Sequence, residues 1–314
     1  LKQNNYFRKN LVDRLCVVAY DGVETTETKK EIDNLPEREH ENGDIRKYIK
    51  YLIAMNIGER TNIIVGSKQM TETEKVTTKS GAKKAKTFGE TTGFLTLHKD
   101  ITKTIGKVVD VNVLDALYLN SNVMNEIADS GEYFVIRMED KTKHIYKDAN
   151  GLFENSKPIL EYEIVEVIKD ITVKYSKEAK HKDYQKTKTK KIIREITEKE
   201  LNEKELVDTK FQERKNSTKE TKTYEKVIRR IKGWDDEFDF VTYKGKVRVV
   251  RTVEEYLEGK KTKTQELYIA TNMLTHPLST IVKIMHLRWH IENNGFRKLK
   301  QNFKLNHILS LIHI

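Results

Sequence analysis

The sequence predicts an α/β fold in which a mixed sheet flanked by helices is interrupted, before its last helix, by a large β-rich insertion. Three observations carry this. Short apolar runs alternate with helical patterns across residues 1–138. Over residues 139–263 the character changes to β-branched residues interleaved with Lys and Glu, a pattern of one-sided solvated strands. From 264 to 314 a strand-like run and a long helical pattern resume. The expected organisation is therefore a core made of 1–138 and 264–314, with 139–263 inserted into it.

Residues 14–20 are nearly all apolar and precede Asp21-Gly22, so they read as a strand buried on both faces that ends in a turn. Residues 47–56 and 61–67 flank Ile57-Gly58-Glu59-Arg60 and read as a hairpin. Residues 70–86, rich in Lys and Thr, read as a loop. A helix is expected over 90–105, a strand over 107–114, a helix over 121–129 and a strand over 133–138. In the insertion, 162–175 and 244–253 alternate like exposed strands, and the basic stretch 180–191 reads as a solvated loop or ribbon tip. Residues 266–270 then give a strand and 277–304 a helix. No internal repeat is visible.

Composition narrows the function. Hydrophobic residues make up 37% and charged residues 34% of the 314, so much of the chain is solvated elaboration around a modest core. Lys+Arg 59 against Asp+Glu 48 leaves a net charge of +11, which favours a polyanionic partner such as nucleic acid, although an AT-rich genome yields the same Lys-rich composition. The single cysteine, Cys16, excludes an internal disulfide and a thiolate zinc site, in keeping with a reducing cytoplasm. No apolar stretch approaches the roughly 20 residues of a membrane span, and no signal peptide is evident. The start at Leu1 and the end shortly after a helical pattern read as those of a fragment, truncated at its C-terminus.

Three carboxylates stand out. Leu15, Val17, Ala19 and Asp21 share one strand face by the two-residue period, and Val109, Val111, Val113 and Asp115 repeat the arrangement. Acids at the ends of neighbouring strands meet in the crevice where ligands bind in open α/β sheets. Each has a plain alternative, since Asp-Gly is a common turn and Asp115 can cap a helical turn. In the last helix Met285, Trp289, Glu292, Phe296, Leu299 and Phe303 form one stripe at helical spacing, with an acid in its middle. A buried carboxylate needs a cation. Arg288 can supply it as an i,i+4 ion pair, or a metal can, shared with Asp21 and Asp115. Arg297, Lys300 and Lys304 lie on the adjoining face.

The segment Leu287-Arg288-Trp289-His290-Ile291-Glu292-Asn293-Asn294-Gly295-Phe296-Arg297-Lys298-Leu299-Lys300 resembles the signature helix of bacterial insertion-sequence transposases of the insertion-sequence-four type. Residues 17–22 resemble that family's first-aspartate strand, and 109–118 its second. The resemblance implies an RNase H-like catalytic domain of the DDE type, with Asp21, Asp115 and Glu292 as catalytic and metal-binding residues. It also implies DNA contacts from Arg288, Arg297, Lys298 and Lys300, transposon ends and target DNA as partners, a homodimer on DNA, and a place in the bacterial cytoplasm at the nucleoid. Met285 stands where the family has Tyr, and Leu299 where it has Lys. Reading Asn-Asn-Gly-Phe as a one-residue insertion moves the Lys role to Lys300, with a helix irregularity near Gly295.

Three acids suit two Mg²⁺ or Mn²⁺ ions about 3.5–4 Å apart, which take hard oxygen ligands and clamp the attacking and leaving oxygens of an in-line phosphoryl displacement. The expected activity is DNA cleavage followed by 3′-OH strand transfer in cut-and-paste transposition. Two other readings are an inactive or domesticated DNA-binding derivative and an RNase H-like nuclease without strand transfer. The sequence has no Gly-rich phosphate loop, no Cys/His cluster and no Ser nucleophile elbow.

Overall fold

The computed structural model describes residues 6–30, 32, 35–58, 62–70, 72–77, 83–87, 89–175, 192–195, 212–215, 218–258 and 261–296. The chain divides into two compact units. The first comprises Leu1–Asn155, Asp235–Val250 and Tyr268–Ile314, and the second Ser156–Trp234 and Arg251–Leu267.

In the first unit a short helix, α1 (Tyr6–Lys9), leads into strand β1 (Val17–Thr28). Val17, Val18, Ala19 and Tyr20 are buried on both faces, as their unbroken apolar run requires. The strand does not stop at Asp21-Gly22 as expected. It continues because the long strand β3 (Ile45–Ile57) pairs Ile53 with Asp21 and Leu52 with Gly22, and this ladder overrides the local turn preference. A short strand β2 (Glu37–Glu39) and strand β4 (Ile63–Met70) share the other edge of β3, both antiparallel to it. Residues 70–86, expected to be a loop, instead contribute strands β5 (Glu72–Thr77) and β6 (Lys83–Thr87), which pair as a hairpin. Thr and Val favour extended backbone even in a polar segment.

Helix α2 (Glu90–Ile105), strand β7 (Val111–Leu114), helix α3 (Ser121–Asp129) and strand β8 (Tyr133–Met138) follow. The helix boundaries agree with the apolar period. β7 is shorter than the expected 107–114, since Gly106 ends α2 with a φ of 76° and Asp110 ties the approach to the sheet: its Oδ2 accepts from Cys16 N at 2.7 Å. β1 runs parallel to β7, and β7 parallel to β8. The order β4-β3-β1-β7-β8, antiparallel on one side of β1 and parallel on the other, is the RNase H-like mixed sheet.

Phe94, Leu97 and Ile101 of α2 face the sheet, and α2 crosses β4 at Gly66, where an added Cβ would lie 2.9 Å from Ile101 Cγ1. Tyr20, Phe94 and Tyr118 pack edge to face, with ring centroids 4.8 and 5.7 Å apart. A buried polar knot sits beneath them. Glu132 Oε2 lies 2.9 Å from His98 Nε2 and accepts from Asn112 Nδ2 at 2.6 Å.

Helix α4 (His144–Glu154) occupies a stretch whose sequence had read as β-branched. Ile145, Tyr146, Ala149 and Phe153 give it a buried face at helical spacing. The second unit is β-rich. Strand β9 (Leu160–Tyr175) pairs antiparallel with β12 (Thr218–Asp239), while β10 (Ile192–Glu195) pairs with β9 and β11 (Gln212–Lys215) with β12. In it Glu254 is buried and accepts from Arg229 Nη2 at 2.9 Å and from Tyr256 OH at 2.7 Å. The basic stretch 180–191 lies outside the described residues.

Strands β13 (Lys246–Glu258) and β14 (Lys261–Thr271) each contribute to both units, and the end of β14 pairs antiparallel with β8. The chain then enters helix α5 (Leu278–Leu287). No helix among the described residues is long and apolar enough to cross a membrane.

Candidate active site

The register of the sheet relates two of the three acids. Val17 pairs with Val111 and Ala19 with Val113, and Asp21 lies two residues beyond Ala19 as Asp115 lies two beyond Val113, directly after β7 ends at Leu114. Both continue the rows of small apolar side chains that their strands present to one face, and neighbouring strands lie about 4.8 Å apart. The two plain alternatives weighed for these acids find no counterpart. Asp21 stands within a strand rather than a turn, with Oδ1 accepting from Gly22 N at 2.8 Å. Asp115 occupies the N-cap position of a 3₁₀ turn (Ala116–Tyr118), yet its side chain makes no capping bond, and its Oδ1 is buried with no hydrogen-bond partner.

Glu292 reaches the site by a change in helix geometry. Past α5 the chain adopts a π-helical turn, Ile291–Phe296, at the place where the added residue of Asn-Asn-Gly-Phe predicted an irregularity. This turn packs on β1 and β3. The expected apolar stripe is corrected in one respect: Trp289 is 45% exposed, whereas Arg288 is 4% exposed and shares the buried side of the segment with Met285 and Ile291. The guanidinium stands between two acids, with Nη2 3.3 Å from Glu292 Oε1 and Nη1 4.0 Å from Asp21 Oδ2.

Burial pushes the Asp21 carboxyl up to about 6. Arg288 and the Gly22 N–H oppose the rise, while the negative charges of Glu292 and Glu90 add to it. Three carboxylates, Asp21, Glu292 and Glu90, therefore act on one another in one small region. Among the described residues no group of three or more His, Cys, Asp or Glu side chains stands close enough to hold a metal ion. Arg288 lies between Asp21 and Glu292. The donor set nevertheless suits a hard divalent cation: an orphaned, buried Asp115 oxygen, an Asp21 whose partial burial disfavours its bare charge, and a third acid on the segment that packs on β1.

Three further residues border the site and escaped the sequence reading. Glu90, the first residue of α2, lies 2.6 Å from Lys50 Nζ through Oε1 and accepts from Tyr118 OH at 3.2 Å through Oε2. An acid in the first helical turn has an ordinary explanation in the helix dipole, and Lys50 lies in an unremarkable strand, so neither carried a local signal. Of the four cations assigned to DNA, Arg288 is placed as above. Arg297, Lys298 and Lys300 lie outside the described residues, as do Leu299 and Phe303 of the stripe.

The sequence model of one protein family, described as Transposase DDE domain, matches residues 85–311, well over half of the chain. No curated protein matches.

Proposed function

Because the chain belongs to the family of transposase DDE domains, enzymes that process DNA, we propose that it cuts the ends of a mobile element and joins them to target DNA. The observation that supports this is that Asp21 and Asp115 follow the paired residues Ala19 and Val113 of two adjacent parallel strands by the same two residues, with Arg288 linking the first of them to Glu292. The family uses divalent metal ions. Asp21, Asp115 and Glu292 are assigned as the ligands of two Mg²⁺ or Mn²⁺ ions, which when bound stabilise the charge on the attacking and leaving oxygens of a phosphodiester.

The chain's own residues do the rest. Asp21 offers its carboxylate from a backbone held by the β1–β3 ladder, and Asp115 from the turn directly after β7. Arg288 neutralises Asp21 and Glu292 in the metal-free protein and is a guanidinium ready to turn to a phosphate. In the first reaction a water oxygen bonds to phosphorus at the element's end, and the bond from phosphorus to the 3′-oxygen breaks, leaving a 3′-OH. In the second, that 3′-OH bonds to a target phosphorus and displaces the target's own 3′-oxygen. Arg297, Lys298 and Lys300 are assigned to the DNA backbone with Arg288. Residues 139–263 are assigned to a DNA-contacting insertion in a core of 1–138 and 264–314, and a homodimer to the active assembly, as in transposases of the insertion-sequence-four type.

The test uses a supercoiled plasmid carrying the coding sequence with its flanking DNA. Mg²⁺-dependent cuts at inverted repeats, followed by joining of a pre-cut end to a second plasmid, are expected. Cutting without joining would reduce the activity to that of a nuclease, and DNA binding without metal-dependent cutting would leave only a binding protein.

A further inference from the structure

Glu90 links the strand backbone beside Asp21 to the turn that follows Asp115. Its Oε1 pairs with Lys50 Nζ at 2.6 Å, and both side chains are mostly buried, 16% and 23% exposed. Its Oε2 holds Tyr118 OH at 3.2 Å, and Tyr118 closes the 3₁₀ turn that begins beside Asp115. The same carboxylate lies flat on the backbone next to Asp21: a Cβ on Gly22 would come 2.6 Å from Glu90 Oε1 and 3.0 Å from Lys50 Cε. A carboxylate serving only the helix dipole would be solvated and free of such partners. Glu90 instead touches β1 at Gly22, β3 at Lys50 and the turn after Asp115.

We propose that Glu90 is a positioning residue of the active site, which with Lys50 and Tyr118 fixes the separation of Asp21 and Asp115. The inference rests on reading those two acids as the metal-binding pair. The ion pair to Lys50 occupies Glu90 itself, so it acts through its neighbours and not as a ligand. Outer partners of this kind hold ligating oxygens in place, and their loss typically weakens metal binding 10- to 100-fold.

The experiment titrates the whole 314-residue chain with MnCl₂ alone, by calorimetry, below its unfolding temperature. Glu90→Ala is expected to weaken Mn²⁺ binding about tenfold. Glu90→Gln keeps an acceptor for Tyr118 and should lose less. Gly22→Ala, which pushes Glu90 aside without removing it, should behave like Glu90→Ala. Lys50→Met gives the sharpest contrast: it removes a cation near the acids, so charge alone would tighten Mn²⁺ binding, whereas loss of the strut weakens it. Unchanged Mn²⁺ affinity in folded Glu90→Ala, or tighter binding in Lys50→Met, overturns the proposal. If Glu90→Ala does not fold, Glu90→Gln and Gly22→Ala decide by the same criterion. Asp21→Ala separates the two levels of argument. If it too binds Mn²⁺ like the wild type, the metal-site reading has failed; if it alone loses binding, only the role of Glu90 has.

Discussion

Asp21 follows Ala19 by two residues just as Asp115 follows Val113, the residue with which Ala19 pairs across β1 and β7. Asp21 is held within the β1–β3 ladder, and Asp115 starts the 3₁₀ turn directly after β7, so both acids stand on ordered backbone and should be intolerant of shortening or removal. Asp21→Ala and Asp115→Ala should each lower metal-dependent cleavage by about three orders of magnitude, the rate equivalent of the several kcal/mol that metal clamping supplies. Glu292→Ala should do the same. DNA affinity, measured by gel shift in chelator, should stay within about threefold of wild type because the phosphate contacts come from cations. Cleavage retained by any one of the three removes that residue from the site.

Crowding of acids alone would make Glu292→Gln neutral or stabilising in the metal-free protein. The Arg288 pair reverses that sign. With Nη2 3.3 Å from Glu292 and the guanidinium buried, the Gln variant removes the nearer of the two carboxylate charges that Arg288 meets among the described residues, the other being Asp21 at 4.0 Å. Glu292 is itself well exposed, so the loss is modest, about 0.5–1 kcal/mol, or about 1–3 °C in the unfolding temperature in chelator. Added Mn²⁺ should then raise the wild type more than the variant, since a ligand bound by the folded state alone stabilises by mass action. Thermal unfolding with chelator and with Mn²⁺ checks both halves. A variant that unfolds above the wild type in chelator would mean that repulsion among the acids exceeds the Arg288 attraction.

Several parts of this site could be read from sequence because one face repeats in a fixed period. The rows Val17, Ala19, Asp21 and Val111, Val113, Asp115 reveal both acids, and strong apolar periods reveal Glu90–Ile105 and Ser121–Asp129. What escaped depends on partners distant in the chain. Asp21-Gly22 looks like a turn until β3 pairs with it, and Glu90 looks like a helix-dipole acid until Lys50 and Tyr118 close on it. Helical spacing alone places Trp289 on the inward stripe in preference to Arg288. The half-buried acid Asp21 and the ion pair to Glu292 invert that ranking. His144–Glu154 carried a helical signal that the surrounding β-branched composition masked.

Arg248 fastens the approach to α5 and should matter for stability rather than chemistry. Its Nε donates to Asp235 Oδ2 at 2.6 Å, and Nη2 also contacts that carboxylate. Nη1 donates to the carbonyls of Met273 at 3.0 Å and His276 at 2.6 Å, just before the helix begins. Both charged side chains are largely buried. Arg248→Met strands Asp235 and two carbonyls, a loss of about 3 kcal/mol. Urea unfolding should show a lower midpoint at unchanged slope. A loss below about 0.5 kcal/mol would place this cluster among surface pairs of little consequence.

The raised carboxyl of Asp21 makes a prediction about pH. Burial takes it from 3.8 to about 6, so between those values the folded protein binds a proton that the unfolded chain releases. The contribution to stability is then full at low pH, falls as pH rises through this window and is lost above about 6. Each unit corresponds to about 1.4 kcal/mol, giving at most about 3 kcal/mol from this one group. Asp21→Asn cannot ionise and escapes the loss. In chelator the variant should therefore match the wild type near about pH 3.5 and exceed it by about 1–3 kcal/mol near about pH 7.5, with the difference opening between these values. Mn²⁺ should shrink the gap at the higher pH by stabilising only the ionised wild type. Denaturant unfolding of both proteins across this range is the measurement. A difference that is constant with pH, or a variant less stable than wild type near about pH 7.5, would mean that Arg288 holds the Asp21 carboxylate more strongly than burial opposes it.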